Sequence, residues 1–140
     1  MICKTHIILH HSWSKDRGAL DWQGVRSYHK SKGWRDVGYQ LCVELVDWQY
    51  EILFGRMLDD SGAHCYQQAM NKKSIGICFI GNFDLAPPAK QQWDLGVKLV
   101  KSLTTILDIP KENVLPHRDF AKYKTCPGNF FDMDKFRGQL

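Results

Sequence analysis

The chain has 140 residues and a mass of 16.2 kDa, the size of one folding domain with a sizeable core. Its 44% hydrophobic and 24% charged residues are typical of a globular protein, and no stretch approaches the roughly 20 apolar residues of a membrane span. The formal charge of +4 would favour a bacterial envelope or nucleic acid, but no basic stripe or nucleic-acid motif accompanies it. We therefore expect residues 1–140 to form one domain that neither inserts into a membrane nor binds nucleic acid.

The N-terminus lacks the features of a secretory signal, because its apolar run is only Ile7-Ile8-Leu9 with a histidine on either side. This predicts a protein made in the cytoplasm, where cysteines stay reduced. We therefore expect Cys3, Cys42 and Cys78, which lie in apolar, strand-like segments, to be buried thiols that pack as small hydrophobic residues.

The first half of the chain predicts three strands and one helix. Ile7 to His11 predicts a short buried strand, and Asp21 to Lys32 predicts a helix with an aspartate cap and a glycine after its end. Tyr39 to Val46 and Tyr50 to Phe54 are rich in β-branched and aromatic residues. They predict two strands joined as a hairpin.

The second half predicts two more strands and two helices. Ser74 to Ile80 is a near-continuous apolar run, as a strand covered on both faces requires. The longest helix is expected to follow Pro87-Pro88 and to end at about Leu107. Val114-Leu115 predicts a last short strand, and Asp132 to Phe136 predicts a terminal helix. The order β-α-β-β-β-α-β-α predicts an α/β (α+β) domain, a central mixed β-sheet packed by about three helices.

Three possible metal ligands lie near the two ends of the chain. His10 closes the first predicted strand, whereas His117 and Cys126 belong to a polar loop that continues into Pro-Gly. Two imidazoles and one thiolate suit Zn²⁺, and three protein ligands leave the fourth position for water or substrate. Because His10 and His11 are adjacent in a strand, at most one of them can face the metal. From the residues alone, a lone histidine is more often a buried or strand-end side chain that binds no metal.

Five motifs occur in an order that resembles a known family. They are His10–Ser12, Gly33–Tyr39, Gly62–His64, Ser74–Ile77 with Gly81–Phe83, and His117–Asp119 with Cys126–Gly128. Together they span about residues 7–136 and resemble the zinc N-acetylmuramoyl-L-alanine amidases, which include phage lysozyme-type amidases and peptidoglycan recognition proteins. The resemblance implies the fold of that family. It also implies hydrolysis of the amide bond between N-acetylmuramic acid and L-alanine in peptidoglycan.

The resemblance assigns a metal site and two catalytic residues. It implies that the first histidine of the pair, His10, joins His117 and Cys126 in binding Zn²⁺. Tyr39 is expected to orient the attacking water or accept part of its proton, and Lys124 to stabilise the oxyanion of the tetrahedral intermediate. Judged from the residues alone, Tyr39 would be a core aromatic and Lys124 a solvated loop charge.

Three further residues are expected to contact the substrate. His64 follows two small residues and matches a histidine that lies near the substrate in relatives. Arg56 matches a position that borders the groove and could bind a peptide carboxylate, and Trp34 could stack on sugar or peptide. The alternatives are an ordinary loop histidine, a surface ion pair of Arg56 with Asp59 or Asp60, and a core tryptophan.

The chain departs from the family pattern at three places. The loop between His117 and Cys126 is one residue longer than is usual, which leaves Lys122 as a rival to Lys124. Asp47-Trp48-Gln49 replaces a tight turn of the Asp-Gly type. Gln40 stands where many relatives have His or Asn, so the contacts made at this position are open.

These features predict a peptidoglycan hydrolase that acts on intact peptidoglycan or on muropeptides as a monomer. A phage or prophage endolysin, released to the cell wall during host lysis, would explain the absence of a signal and of a wall-binding domain. A cytoplasmic amidase that recycles soluble wall fragments would explain the missing signal as well. A non-catalytic peptidoglycan sensor is a further alternative, but members that only bind often lack the cysteine ligand. No sequence feature supports a regulatory protein that binds another protein.

Overall fold

A mixed β-sheet of five strands forms the centre of the structure, a computed structural model that describes residues 3–13 and 21–140. The strands are β1 (His6–His11), β2 (Leu41–Val46), β3 (Gln49–Phe54), β4 (Ser74–Phe79) and β5 (Val114–Pro116). Their spatial order is β3-β2-β4-β1-β5. The hairpin of β2 and β3 is antiparallel, and the other three neighbouring pairs are parallel. The predicted mixed sheet is therefore confirmed.

The described residues form four α-helices, namely α1 (Trp22–Ser31), α2 (Met70–Lys73), α3 (Lys90–Leu107) and α4 (Met133–Gly138). Three of them correspond to the predicted helices, and the fourth, α2, is a single turn before β4 that the sequence did not indicate. Asp21 caps α1 as predicted, since its carboxylate accepts the Gly24 N–H. No helix within the described ranges is both long enough and apolar enough to cross a membrane.

The alternation of side chains along the strands divides the core into two layers. One face of the sheet packs against α3 and α4, and its strand residues include Ile7, Leu9, Ile75, Ile77 and Phe79. The other face packs against α1 through Cys42 and Cys78, and against Met70 of α2 through Ile8. Because both faces are covered, β4 is buried along its whole length and β1 carries the apolar run Ile7-Ile8-Leu9. His10 lies on the second face, between the two groups of apolar residues.

The predicted burial of the strand cysteines holds for two of three. Cys42 and Cys78 are fully buried in the sheet. Cys3 is exposed, so the prediction is wrong for this residue. The reason is that β1 begins only at His6, which leaves Cys3 outside the sheet.

The hairpin between β2 and β3 turns through two residues, because Val46 pairs directly with Gln49. Asp47 and Trp48 have φ angles of 48° and 70°, the left-handed conformation of a type I′ turn. Such a turn favours glycine at its second position, yet Trp48 occupies it with 81% of its surface exposed. The turn therefore keeps the tight geometry of an Asp-Gly hairpin with a less suitable residue.

We expect Trp48→Gly to be more stable than Trp48→Ala by about 1 kcal/mol. The left-handed conformation costs a residue with a Cβ atom roughly 1–2 kcal/mol, and glycine avoids this cost. Part of that advantage is lost because glycine also increases the conformational entropy of the unfolded chain. Both variants remove the indole, so their difference isolates the backbone conformation. Urea unfolding of the two variants measures it, and equal stabilities would contradict the left-handed turn.

Candidate metal centre

The pairing of β1 with β5 brings two of the predicted ligands together. Leu9 is in register with Pro116, so the next residues, His10 and His117, are neighbours at the carboxyl ends of these parallel strands. Their imidazole centroids are 4.5 Å apart. Cys126 reaches the same point from the following loop. The candidate ligand atoms of His10, His117 and Cys126 all lie within 4.8 Å of one another, and all three side chains are buried.

The spacing of these atoms suits a tetrahedral cation. Zn²⁺ binds nitrogen at about 2.0 Å and sulfur at about 2.3 Å, which in a tetrahedron places the two donors roughly 3.6 Å apart. The Nδ1 atom of His10 lies 3.6 Å from the Sγ atom of Cys126. The two-histidine, one-cysteine donor set also matches the preference of Zn²⁺. The residues present therefore fit this ion.

Burial sets the protonation states of the three ligands before a cation binds. The pKa of His117 is lowered to about 4 by burial and then by the charge of Lys124. Burial also holds the pKa of His10 well below its ordinary value. Burial raises the pKa of the Cys126 thiol to about 12. At neutral pH the imidazoles therefore offer free lone pairs, whereas a cation must displace the thiol proton.

His11 lies outside the ligand cluster. Its Nδ1 atom accepts the Phe83 N–H at 3.1 Å, on the face of the sheet opposite to His10. Its backbone N–H points to the Sγ atom of Cys126 at 3.4 Å. His11 thus supports the loop that carries Cys126 with its backbone and packs the core with its side chain.

Two charged residues fix the loop between the ligands. Arg118 donates its backbone N–H to the Cys126 carbonyl at 2.8 Å, and its guanidinium bonds the carbonyl of Gly128 at 3.0 Å. Asp84 accepts the Thr125 hydroxyl at 2.8 Å, which ties the loop to the segment after β4. Sequence reasoning assigned neither residue a role, although Arg118 lies inside the His117–Asp119 motif.

Tyr39 lies against the ligands. Its ring centroid is 4.9 Å from that of His10, and its hydroxyl hydrogen-bonds with the Cys78 thiol. Cys78 is the register partner of His10 in the neighbouring strand. Burial, followed by the nearby cysteines, raises the pKa of Tyr39 well above its ordinary value, so the side chain is a neutral phenol. The contact of Cys78 with the Tyr39 hydroxyl was not predicted, because Cys78 resembles an ordinary core residue in an apolar run.

Lys124 is exposed but acts on all three ligands. Burial is the largest influence on the pKa of each candidate ligand, His10, His117 and Cys126. The positive charge of Lys124 is a smaller influence that acts to lower each of the three pKa values. Its Nζ atom also lies 5.9 Å from the centroid of the Tyr123 ring. Lys122 makes no such contribution to the three pKa values, which favours Lys124 over its rival as the lysine whose charge acts on the cluster.

His64 contacts a ligand directly. Its Nδ1 atom is 2.8 Å from the Nε2 atom of His10, and the two rings meet edge to face. Burial, and after it the nearby His117, lowers the pKa of His64 to about 3. His64 therefore lies against the His10 ring, within hydrogen-bond distance of it.

The other two expected substrate residues lie on either side of the Tyr39 segment. Arg56 donates its Nε and Nη1 groups to the carbonyls of Val37 and Ser61, both at 2.8 Å. The alternative ion pair of Arg56 with Asp60 is not seen, because Asp60 pairs with Arg35. The half-buried Trp34 packs on His29 with ring centroids 4.6 Å apart, and the Lys32 ammonium lies 4.6 Å from its ring.

The fold is that of a small α/β domain with a histidine–cysteine cluster that could hold a metal ion, and comparison with known proteins places the chain in a family. The N-acetylmuramoyl-L-alanine amidase family matches residues 4–129. The endolysin of Escherichia phage T7 is 32% identical over 137 residues, which cover 93% of this chain and 83% of that protein. The chain belongs to the N-acetylmuramoyl-L-alanine amidase family, as its motifs indicated.

Solved structures confirm the fold. The N-acetylmuramoyl-L-alanine amidase LysC from Clostridium intestinale URNW superposes with a TM-score of 0.85 at 24% identity, covering 99% of this chain and 86% of that chain. A variant of Drosophila peptidoglycan recognition protein LB, solved with tracheal cytotoxin, gives a TM-score of 0.77 at 27% identity, covering 94% and 79%. Family membership and the endolysin relative also confirm the predicted enzyme class, a peptidoglycan amidase.

Proposed function

We propose that this enzyme hydrolyses the amide bond between N-acetylmuramic acid and L-alanine with Zn²⁺ held by His10, His117 and Cys126. The observation that carries the metal assignment is the convergence of these three donors, from segments up to 116 positions apart, within 4.8 Å of one another. A chain that needed only a structural core would fill this point with apolar side chains. The site instead leaves one tetrahedral position for water or substrate.

A Zn²⁺ ion held by these residues would polarise the scissile carbonyl and lower the pKa of a water molecule towards about 7. Tyr39, as a neutral phenol beside His10, orients the attacking water by donating or accepting a hydrogen bond. Lys124 is exposed, and its charge acts on all three candidate ligands. Its ammonium stabilises the negative charge that develops on the carbonyl oxygen.

The substrate side of the site is supplied by Arg56 and Trp34. The Arg56 guanidinium donates from Nε and Nη1 to two backbone carbonyls, which orients the side chain to receive a stem-peptide carboxylate. The ring of Trp34, packed on His29, offers a surface for sugar or peptide. A relative of this fold was solved with tracheal cytotoxin, which supports a peptidoglycan or muropeptide substrate here. His64 was expected to take part in this contact as well.

We assign the enzyme to the endolysins, made in the cytoplasm and acting as a monomer on the cell wall after release. The support for this is the endolysin of phage T7, which matches most of both chains. The sensor alternative is less favoured, because Cys126 completes the ligand set. Recycling of soluble wall fragments differs from lysis only in the size of the substrate, so it is separated by experiment.

The cleaved bond tests the reaction. We expect mass spectrometry of digested sacculi to show free stem peptides that begin with L-alanine. The glycan strands should carry lactyl groups that end in free carboxylates. Protein treated with a chelator is the control and should release neither product. Cleavage in the glycan or within the stem peptide would contradict the proposal. Faster turnover of soluble muropeptides than of sacculi would favour recycling over lysis.

Metal binding tests the ligand set. We expect Cys126→Ser and His10→Ala to lose most bound zinc and activity while remaining folded. His11→Asn should keep its zinc, because asparagine retains an acceptor for the Phe83 N–H on the opposite face of the sheet. Elemental analysis of zinc per chain, with circular dichroism for folding, measures both. Full zinc in Cys126→Ser, or loss in His11→Asn alone, would refute the assignment.

Kinetics test the two helpers. We expect Tyr39→Phe and Lys124→Ala each to lower kcat by roughly a hundredfold or more, since both act mainly in the transition state. Zinc content should be unchanged and KM should move little. Lys122→Ala is the matched control and should be near wild type. If Lys122→Ala abolished turnover and Lys124→Ala did not, the oxyanion donor would be misplaced by two residues.

A further inference from the structure

We propose that His64 and Ser74 are positioning residues that hold His10 in the one tautomer able to bind the cation. A chain of hydrogen bonds runs from the Met70 carbonyl through Ser74 and His64 to the far side of the His10 ring. The inference rests on the proposed metal site and assigns His64 a role distinct from the expected substrate contact. It concerns how the protein prepares the ligand before any metal arrives.

Three contacts form the chain. The Ser74 hydroxyl donates to the Met70 carbonyl at 2.7 Å. The same hydroxyl oxygen lies 3.4 Å from Nε2 of His64, and Nδ1 of His64 lies 2.8 Å from Nε2 of His10. On the opposite edge of the His10 ring, Nδ1 faces the Cys126 sulfur. Each ring therefore uses both of its nitrogens.

The direction of each hydrogen bond follows from the single proton of Ser74. Because that proton is donated to a carbonyl, the serine oxygen presents only lone pairs to His64. The Nε2 atom of His64 must then carry a proton, which leaves its Nδ1 as an acceptor. The Nε2 atom of His10 must in turn carry a proton and donate it to His64. This leaves Nδ1 of His10 unprotonated, as a metal ligand requires.

The backbone around His64 is built to hold its ring. A Cβ atom at Gly62 would lie 2.5 Å from the His64 ring, and one at Gly76 would lie 2.6 Å from it. Both are distances that no real side chain tolerates, so the two glycines create the space that the imidazole fills. Ser74, at the start of β4, is fully buried and cannot turn to solvent for another partner. The two ends of this series of hydrogen bonds, Ser74 and His10, are therefore closed to solvent.

The tautomer can be observed without metal or substrate. We expect nitrogen NMR of histidine-labelled, metal-free protein at pH 7.5 to show His10 and His64 both protonated at Nε2. In Ser74→Ala the lone-pair contact is absent, so His64 should lose its fixed preference for the Nε2 proton. A wild-type spectrum with His64 protonated at Nδ1 would overturn the proposal, because the chain would then run in the opposite direction.

Metal affinity tests the consequence. We expect His64→Leu to weaken zinc binding by about 10- to 100-fold, the usual effect of losing a partner of a ligating histidine. His64→Asn should recover most of the loss, because its Oδ1 atom takes the place of Nδ1 as an acceptor. His6→Leu is the matched control, because His6 lies on β1 with His10 but outside the site. This variant should bind zinc like wild type. Competition with a chelator measures all four proteins.

The outcomes separate this inference from the proposed function. If the wild-type protein binds no zinc, the metal site itself is wrong. If wild type binds zinc and cleaves the amide but His64→Leu binds zinc equally well, only the positioning role is overturned. Should His64→Leu fail to fold, the zinc affinities of His64→Asn and Ser74→Ala are compared with that of wild type. We expect Ser74→Ala to bind zinc more weakly than wild type. An unchanged zinc affinity of Ser74→Ala would contradict the proposed series of hydrogen bonds.

Discussion

The site depends above all on the parallel pairing of β1 with β5, a ladder of only three residue pairs. This register sets His10 beside His117 at the carboxyl ends of the two strands. A shift by one residue would turn His10 towards the α3 and α4 layer and bring His11 to the site, because side chains alternate between the faces of a sheet. The pairing of β1 with β4 prevents that shift, since it fixes six consecutive residues of β1, including the partners His10 and Cys78.

The sequence predicted the sheet, its long helices and the grouping of His10, His117 and Cys126, because each leaves a local signal. Apolar runs mark β1 and β4, and the two ligand motifs resemble those of a known family. It did not predict α2, a single turn of four residues that is too short for a periodic pattern. It also could not predict contacts between distant segments, such as His64 with His10 or Tyr39 with Cys78. These depend on strand order and register, which periodicity does not specify.

The contacts of Gln40, which the sequence left open, are made to backbone groups beside the site. Its side chain accepts the Gly76 N–H at 2.8 Å and donates to the Asp60 carbonyl at 3.1 Å. Gln40 is fully buried and joins β4 to the loop after β3. It therefore fixes the backbone of Gly76, the residue whose missing side chain makes room for His64. A polar residue is needed at this position for the backbone it holds.

The charges of the assembled site explain why it would bind a transition state better than a substrate. With the proposed divalent cation bound, the cation and the Cys126 thiolate would leave one net positive charge, since the two imidazoles are neutral. Lys124 adds a second from the exposed side, and Tyr39 contributes none because it is a neutral phenol. A neutral amide interacts with this positive charge only through its dipole, whereas the oxyanion that develops in the reaction carries a full negative charge. The interaction is therefore strongest where the reaction needs it, at the tetrahedral stage of amide hydrolysis.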